Sequence, residues 1–259
     1  MSSIESSLTT DRFAKHLCSE RFGPDLGRVG FKFVRNMLVG IQRARSVNLT
    51  DVAKGLNEGI RLHATHKRLS RNLDNPALAA NLSDRLLKLG AASVRPDTRL
   101  IVHLYELNKK YARKVEYLPE PGLDSDAGFK VCEILASDPD SETYTPLLAT
   151  VWSDKVPGYV SDAEEIKKAL HRVARATDNK GMFYFDDQSM SGEFLQPIFD
   201  DPGFDFIAMV RDTEMDVFYR NESCPVQTLA DSVQTPYGRT MFKLIPEGAS
   251  GITKQTDID

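Results

Sequence analysis

Hydrophobic positions along this chain change their period near Pro96. Upstream, in GRVGFKFVRNMLVGIQRARS, the residues Phe33, Val34, Met37, Leu38 and Ile41 recur at helical spacing. Asn48 or Thr50 can cap a following helix whose apolar face is Val52, Ala53 and Leu56, with Gly59 near its end. ATHKRLSRNL predicts a short third helix carrying Lys67, Arg68 and Arg71. Pro76 suits a first helical turn and opens a fourth, which runs through Leu78, Leu82, Leu86 and Leu87 to Gly90. A short helix, a tight turn and a basic short helix follow one another in helix-turn-helix DNA readers and also in many small helical bundles. His63 and His66 lie three residues apart, a spacing that fits a metal pair but fits a solvated or DNA-facing surface better.

Downstream the segments shorten and fill with β-formers. RLIVHL, FKVCEILAS and TYTPLLATVW predict three strands, with Pro146 marking the third as an edge strand or the site of a bulge. In SDAEEIKKALHRVARAT, Ser161 and Glu164 form a capping box, and Ile166, Ala169, Leu170 and Val173 make a buried stripe. GMFYFD predicts a fourth strand, SMSGEFLQPIF a short helix and FDFIAMV a fifth strand. The order β-β-β-α-β-α-β combines an antiparallel meander with crossovers that favour parallel pairing. It is the order of the ribonuclease-H-like fold. The segment 118–128 is a loop by its Pro, Gly and Asp content, and the tail PEGASGITKQTDID has no periodicity. The expected architecture is therefore α+β or α/β. A helical unit covers residues 1–95, and a partial ribonuclease-H-like domain covers 98–259.

Charge sharpens this division. Residues 1–95 carry 16 Lys and Arg against 8 Asp and Glu, while the remainder carries 17 against 29. A basic portion joined to an acidic one fits a polyanion-binding module followed by a different domain. Overall, 41% hydrophobic and 27% charged residues are globular values, and no apolar run approaches the length of a bilayer span. The N-terminal MSSIESSLTTDRFAKH lacks a signal-peptide core, so the expected location is cytoplasmic, without membrane association. Cys18, Cys132 and Cys224 are too far apart to suggest a disulfide framework or a zinc pattern.

Six segments, taken in order, carry a resemblance. RVGFKFVRNMLVGIQRARSVNLTDVAKGLNE, HKRLSRNL and LIVHLYELNKKYARKVEYL resemble bacterial DDE-class transposases of the insertion-sequence 4 family. So do PLLATVWSDKVPGYVSDAEEI, GMFYFDDQSMSGEFLQPI and FDFIAMVRDTEMDVFYRN, and together they span most of residues 28–221. The resemblance implies a nucleoid-associated protein of DNA transposition. Its partners would be double-stranded DNA with terminal inverted repeats and a second subunit, as a homodimer or as a heterodimer with an intact transposase.

Members of that family hold two Mg²⁺ or Mn²⁺ ions on three carboxylates, which together stabilise the attacking and leaving oxygens of a phosphoryl displacement. At the place of the first aspartate this chain has His103, with Tyr105 and Glu106 following. A neutral imidazole is a poor ligand for Mg²⁺ but can bind Mn²⁺ or Zn²⁺; on its own terms His103 reads as a strand-end histidine. Strand alternation puts Glu106 on the opposite face. The second aspartate maps to Asp186, a vestigial catalytic and metal-binding residue by the resemblance and otherwise a turn or cap residue. Asp187 stands where the family has arginine. Arg211 occupies the place of a family arginine after the fifth strand and reads either as a DNA contact or as a plain surface residue. The family's third acid lies on a helix that the resemblance puts beyond Asp259. The expectation is a truncated, degenerate member that binds DNA through Lys67, Arg68 and Arg71 and holds no tightly bound metal. The alternatives are a retained regulator or repressor of transposition, and a weak metal-dependent nuclease.

Overall fold

In the computed structural model the chain divides into two compact units, Met1–Ser93 and Val94–Asp259. The structure describes residues 3–108, 115–118, 128–139, 143–185, 206–208, 216–219, 222–232 and 243–244.

The first unit consists of five helices: α1 (Ser3–Leu17), α2 (Gly27–Ala44), α3 (Leu49–Leu56), α4 (Leu62–Leu73) and α5 (Pro76–Ala91). Their shared core joins Leu17 of α1, Phe33, Val34 and Val39 of α2, Val52, Ala53 and Leu56 of α3, Leu69 of α4 and Leu78 of α5. The helix α2 meets α3 very closely. A Cβ on Gly40 would lie 2.6 Å from Val52 Cγ1, and one on Gly55 would lie 3.1 Å from the Gly40 carbonyl oxygen. Glycine at both positions lets the two backbones approach as larger residues would not. Asn48 caps α3 by accepting from the Thr50 amide, and Asn75 caps α5 by accepting from the Ala77 and Leu78 amides.

One expectation needs correction here. The α3 helix ends at Leu56, and the left-handed residue that terminates it is Asn57 (φ 46°), whose amide donates to Lys54 O, so Gly59 lies beyond the helix. On α5, Leu86 is 38% exposed, while the adjacent Arg85 is fully buried. Arg85 donates from Nε to Asn81 Oδ1 (2.5 Å), from Nη1 to Leu17 O (3.1 Å) and Ser19 O (2.8 Å), and from Nη2 to Pro24 O. The planar five-donor guanidinium thus gathers the carbonyls at the end of α1 and along the following turn, where the partial negative charge of a helix C-terminus favours a cation.

In the second unit, β1 (Arg99–Asn108), β2 (Gly128–Ser137), β3 (Tyr144–Trp152), β4 (Met182–Phe185) and β5 (Phe206–Ala208) form one sheet in the order β3-β2-β1-β4-β5. The strands β1 and β2 are antiparallel, as are β2 and β3, whereas β1 pairs parallel with β4 and β4 with β5. The helix α6 (Asp162–Ala176) connects β3 to β4, buries Ile166, Ala169, Leu170, Val173 and Ala174, and packs against β3. On the sheet, Leu100, Val102, Ile134, Leu148, Phe183 and Phe185 are buried, and cross-strand register places them on one face. Pro146 sits on an edge strand at a bulge, where the register passes from Ile134↔Leu148 to Leu135↔Pro146. Gly181 (φ +86°) turns the chain into β4 beside Leu100.

The start of α6 is fixed by a polar knot. Ser161 Oγ accepts from the Glu164 amide, and the Asp162 carboxylate accepts from Trp152 Nε1 (2.8 Å), Tyr159 Oη (3.0 Å) and Lys130 Nζ. Burial acts to raise the Asp162 pKa, but the three hydrogen bonds outweigh it and hold the group below the ordinary carboxylate value. Burial and the neighbouring Asp162 push Tyr159 up to about 12. A second, three-stranded sheet has the order β7-β6-β8, from β6 (Asp216–Tyr219), β7 (Glu222–Pro225) and β8 (Lys243–Leu244), and α7 (Val226–Ser232) follows β7. The short helix expected over SMSGEFLQPIF lies outside the described residues. Among the described residues, no helix is long and apolar enough to cross a membrane.

Two expected outcomes follow from this packing. Arg85→Met removes four hydrogen bonds and strands three carbonyl acceptors, so urea unfolding of the full chain should show a loss of about 3 kcal/mol, with only partial recovery in Arg85→Lys. A change below about 0.5 kcal/mol would contradict the assigned role. Because the folded-state pKa of Asp162 is depressed, its stabilisation is present at neutral pH and disappears as pH falls below the ordinary value of 3.8 and through the folded value. The stability gap between the parent chain and Asp162→Asn should therefore be about 1–2 kcal/mol at neutral pH and close in strongly acidic buffer. A gap independent of pH would show that the carboxylate charge contributes nothing.

Candidate functional site

The two groups of residues singled out from the sequence fall in different units. Lys67, Arg68 and Arg71 all lie on α4, which follows the eight-residue α3 after a short turn. Its apolar side buries Thr65 and Leu69, and the opposite side exposes His63, Lys67 and Arg71. These three are spaced by four residues, so they form one row along the outside of the helix.

Arg68 does not belong to that row. One residue from Lys67 is a turn of about 100° around the helix axis, and Arg68 lies half-buried toward the α3–α4 turn. Its Nη2 donates to both oxygens of Glu58, at 2.9 and 2.8 Å. Thr65 Oγ1 donates to Glu58 Oε2 at 2.9 Å. The Arg68 hydrogen bond is the largest influence on Glu58 and, with help from Thr65 and nearby Lys32, holds its carboxyl below the usual range despite partial burial. The structure thus places Lys67, Arg68 and Arg71 on one helix, as expected, but pairs Arg68 with Glu58. The helix presents two of the cations outward and spends the third inside its own unit.

His103 lies on β1, exposed, on the sheet face opposite the one that packs Leu100 and Val102. Directly across the antiparallel ladder it faces Glu133, and its ring centroid is 5.3 Å from that of Tyr105 on the same face. On that face Arg99 also stacks over the ring of Tyr184 on β4, 5.8 Å from its centroid. The parallel register pairs Val102 with Phe185, so His103 follows the last matched pair of β1 and β4. Asp186 and Arg211 lie outside the described residues. Glu106 pairs across the ladder with Lys130, three residues from His103 and therefore on the other face.

A two-ion site of the kind implied by the resemblance needs several convergent anionic oxygens. Of the residues the resemblance implies, the described part shows an imidazole at the first-acid place, with Glu133 across the ladder on the same face and Glu106 on the other, while Asp186 lies outside the described residues. Among the described residues no three His, Cys, Asp or Glu side chains gather as a metal site. His63 is exposed and His66 half-buried.

Residues that periodicity did not single out include Glu58 and Asp162. Both accept hydrogen bonds from partners distant in sequence, which spacing rules do not reach. A signal for Glu58 was nonetheless present, because an acid in the turn before a basic helix is a natural partner for one of its cations. Compared with protein-family models and with curated protein sequences, the chain matches none.

The geometry predicts a division among the three cations that a stability measurement can read. Arg68→Ala should destabilise the chain by about 1 kcal/mol, the range for a partly screened pair with good geometry. Lys67→Ala and Arg71→Ala should each stay within about 0.5 kcal/mol of the parent, as surface changes do. Equal effects at all three positions in thermal unfolding would contradict the division.

Proposed function

We propose that this chain is a DNA-binding protein of DDE-transposase lineage that does not itself carry out strand cleavage with Mg²⁺. The observation that carries the DNA-binding reading is the outward row His63, Lys67 and Arg71 on a helix that follows a short helix and a turn. Such a helix can enter a major groove while its cations neutralise phosphates and approach base edges. The excess of cations in the first 95 residues favours the same partner.

The lineage rests on the resemblance of the six collinear segments to transposases of the insertion-sequence 4 family. It is supported by a sheet of order β3-β2-β1-β4-β5 in which β2 alone runs against its neighbours β1 and β3, an arrangement compatible with a ribonuclease-H-like domain. His103 favours the reading of a retained DNA-binding regulator or repressor over that of a working transposase. An imidazole at the place of the first metal-binding acid brings no negative charge to offset a divalent ion. Any residual nuclease would have to use Mn²⁺, with His103 and Asp186 among its ligands.

The test is a binding isotherm on duplex DNA across a salt series, with strand cleavage followed in the same samples. The parent chain should bind more weakly as salt rises, with a slope in log–log form of about −0.9 for each phosphate neutralised. Lys67→Ala/Arg71→Ala should weaken binding and flatten the slope by up to about two such contacts. Cleavage with Mg²⁺ should be absent. Unaltered binding by the folded double variant would move the interface elsewhere. Mg²⁺-dependent cleavage lost on Asp186→Ala would overturn the non-catalytic reading.

A further inference from the structure

Glu58 stands between the helix pair and the proposed DNA partner in a way that the binding reading alone does not require. It lies in the turn that separates α3 from α4 and accepts from two residues of α4, Thr65 and Arg68, that are nearly one helical turn apart. Thr65 is buried, so its hydroxyl fixes the carboxylate against the body of the helix. Both carboxylate oxygens then receive the same guanidinium nitrogen of Arg68. Arg68 is only one position from Lys67 and three from Arg71, and an extended arginine side chain is long enough to swing from the flank of a helix toward whatever its outer row contacts.

We propose that Glu58 withholds Arg68 from DNA, and so limits the sequence-independent part of the affinity of α4. This rests on the DNA-binding reading of α4 and deepens it by naming a selectivity residue. A guanidinium paired with a carboxylate offers a phosphate little net charge, and transferring it to a phosphate would leave the Glu58 carboxylate without its main partner. The Glu58–Arg68 pair therefore opposes one phosphate contact on every duplex, specific or not. Phosphate contacts add affinity without sequence information, so keeping one cation in reserve raises the weight of whatever His63, Lys67 and Arg71 read. Glu58 is on this account a positioning residue. It touches no DNA and acts through Arg68 and Thr65.

Glu58→Gln tests this directly, because the amide keeps an oxygen for the Thr65 hydroxyl and removes the charge that holds Arg68. Measured on a mixed-sequence duplex, the Glu58→Gln chain should bind several-fold more tightly than the parent, with its salt slope steeper by about 0.9, the value of one added phosphate contact. Arg68→Ala in the parent background bares the Glu58 carboxylate and should lower affinity modestly, but it should leave the salt slope at the parent value, since no phosphate contact is lost. The double variant Glu58→Gln/Arg68→Ala should return to the parent slope. That reversal, read in the salt slope, ties the gained contact to Arg68. Thermal unfolding of each full-length variant ensures that only folded chains are compared, and Glu58→Asp, which keeps the charge, provides a second variant expected to retain the parent slope. A salt slope flattened by about 0.9 in Arg68→Ala, the loss of one phosphate contact, or a Glu58→Gln slope equal to that of the parent, would overturn the proposal while leaving DNA binding by α4 intact. Absence of duplex binding by the parent chain would overturn both.

Discussion

The second unit is organised by the pairing of β1, which is bonded to β2 running against it and to β4 running with it. Antiparallel pairing requires only a loop, but the parallel pair requires the chain to leave the sheet and return, and α6 performs that return from β3 to β4. Leu100 and Val102 must then point toward the packed face, where both are fully buried together with Phe183 and Phe185. A slip of one residue along β1 would put Ile101 and His103 into that core and expose the two leucine and valine side chains. The exposed position of His103 is thus a consequence of register, set by hydrophobic burial on the other side of the strand. The polar knot around Asp162 secures the same crossover at its start, by tying Trp152 at the end of β3 to the first turn of α6.

In the helical unit a comparable role falls to a charge. Arg85 brings an ion into a fully buried place, which is costly unless its donors are satisfied. Four hydrogen bonds, three of them to backbone carbonyls, satisfy it and fix the end of α1 and its following turn against α5. At α4 the unit uses the opposite device, a carboxylate in a turn that collects a hydroxyl and a guanidinium. Arg85 and Arg68, and Arg35 through its pair with Asp11, are therefore engaged in holding the helices, and a count of cations overstates what the surface can offer to a polyanion.

The sequence carried the local rules well. Asn48 and Ser161 each cap the helix expected of them, Pro76 stands in the first turn of α5, Pro146 marks an edge strand with a bulge, and the stripe Ile166, Ala169, Leu170 and Val173 is buried on α6. These are interactions within one turn or one strand, which periodicity encodes. What remained illegible was set by contacts across the fold. The burial of Arg85 beside an outward Leu86 was not legible, because the acceptors of the guanidinium lie at the end of α1 and in the turn that follows. Asn57 rather than Gly59 ends α3, because asparagine tolerates the left-handed conformation and stands at the position the helix reaches first. Of the residues singled out for function, Lys67 and Arg71 share an exposed face as helical spacing dictates. The pairing of Arg68 was not legible, because its partner, Glu58, belongs to the preceding turn. The short sheet of β6, β7 and β8 gave no period long enough to read.

The central claim is that DNA contacts this chain through the outward row of α4. Backbone amide shifts recorded while a short mixed-sequence duplex is titrated into the full-length chain test it most directly. The account predicts that the largest perturbations fall between Ile60 and Arg71 and are strongest around His63, Lys67 and Arg71. Perturbations centred on β1 and β4, or an unchanged spectrum at saturating duplex, would contradict it.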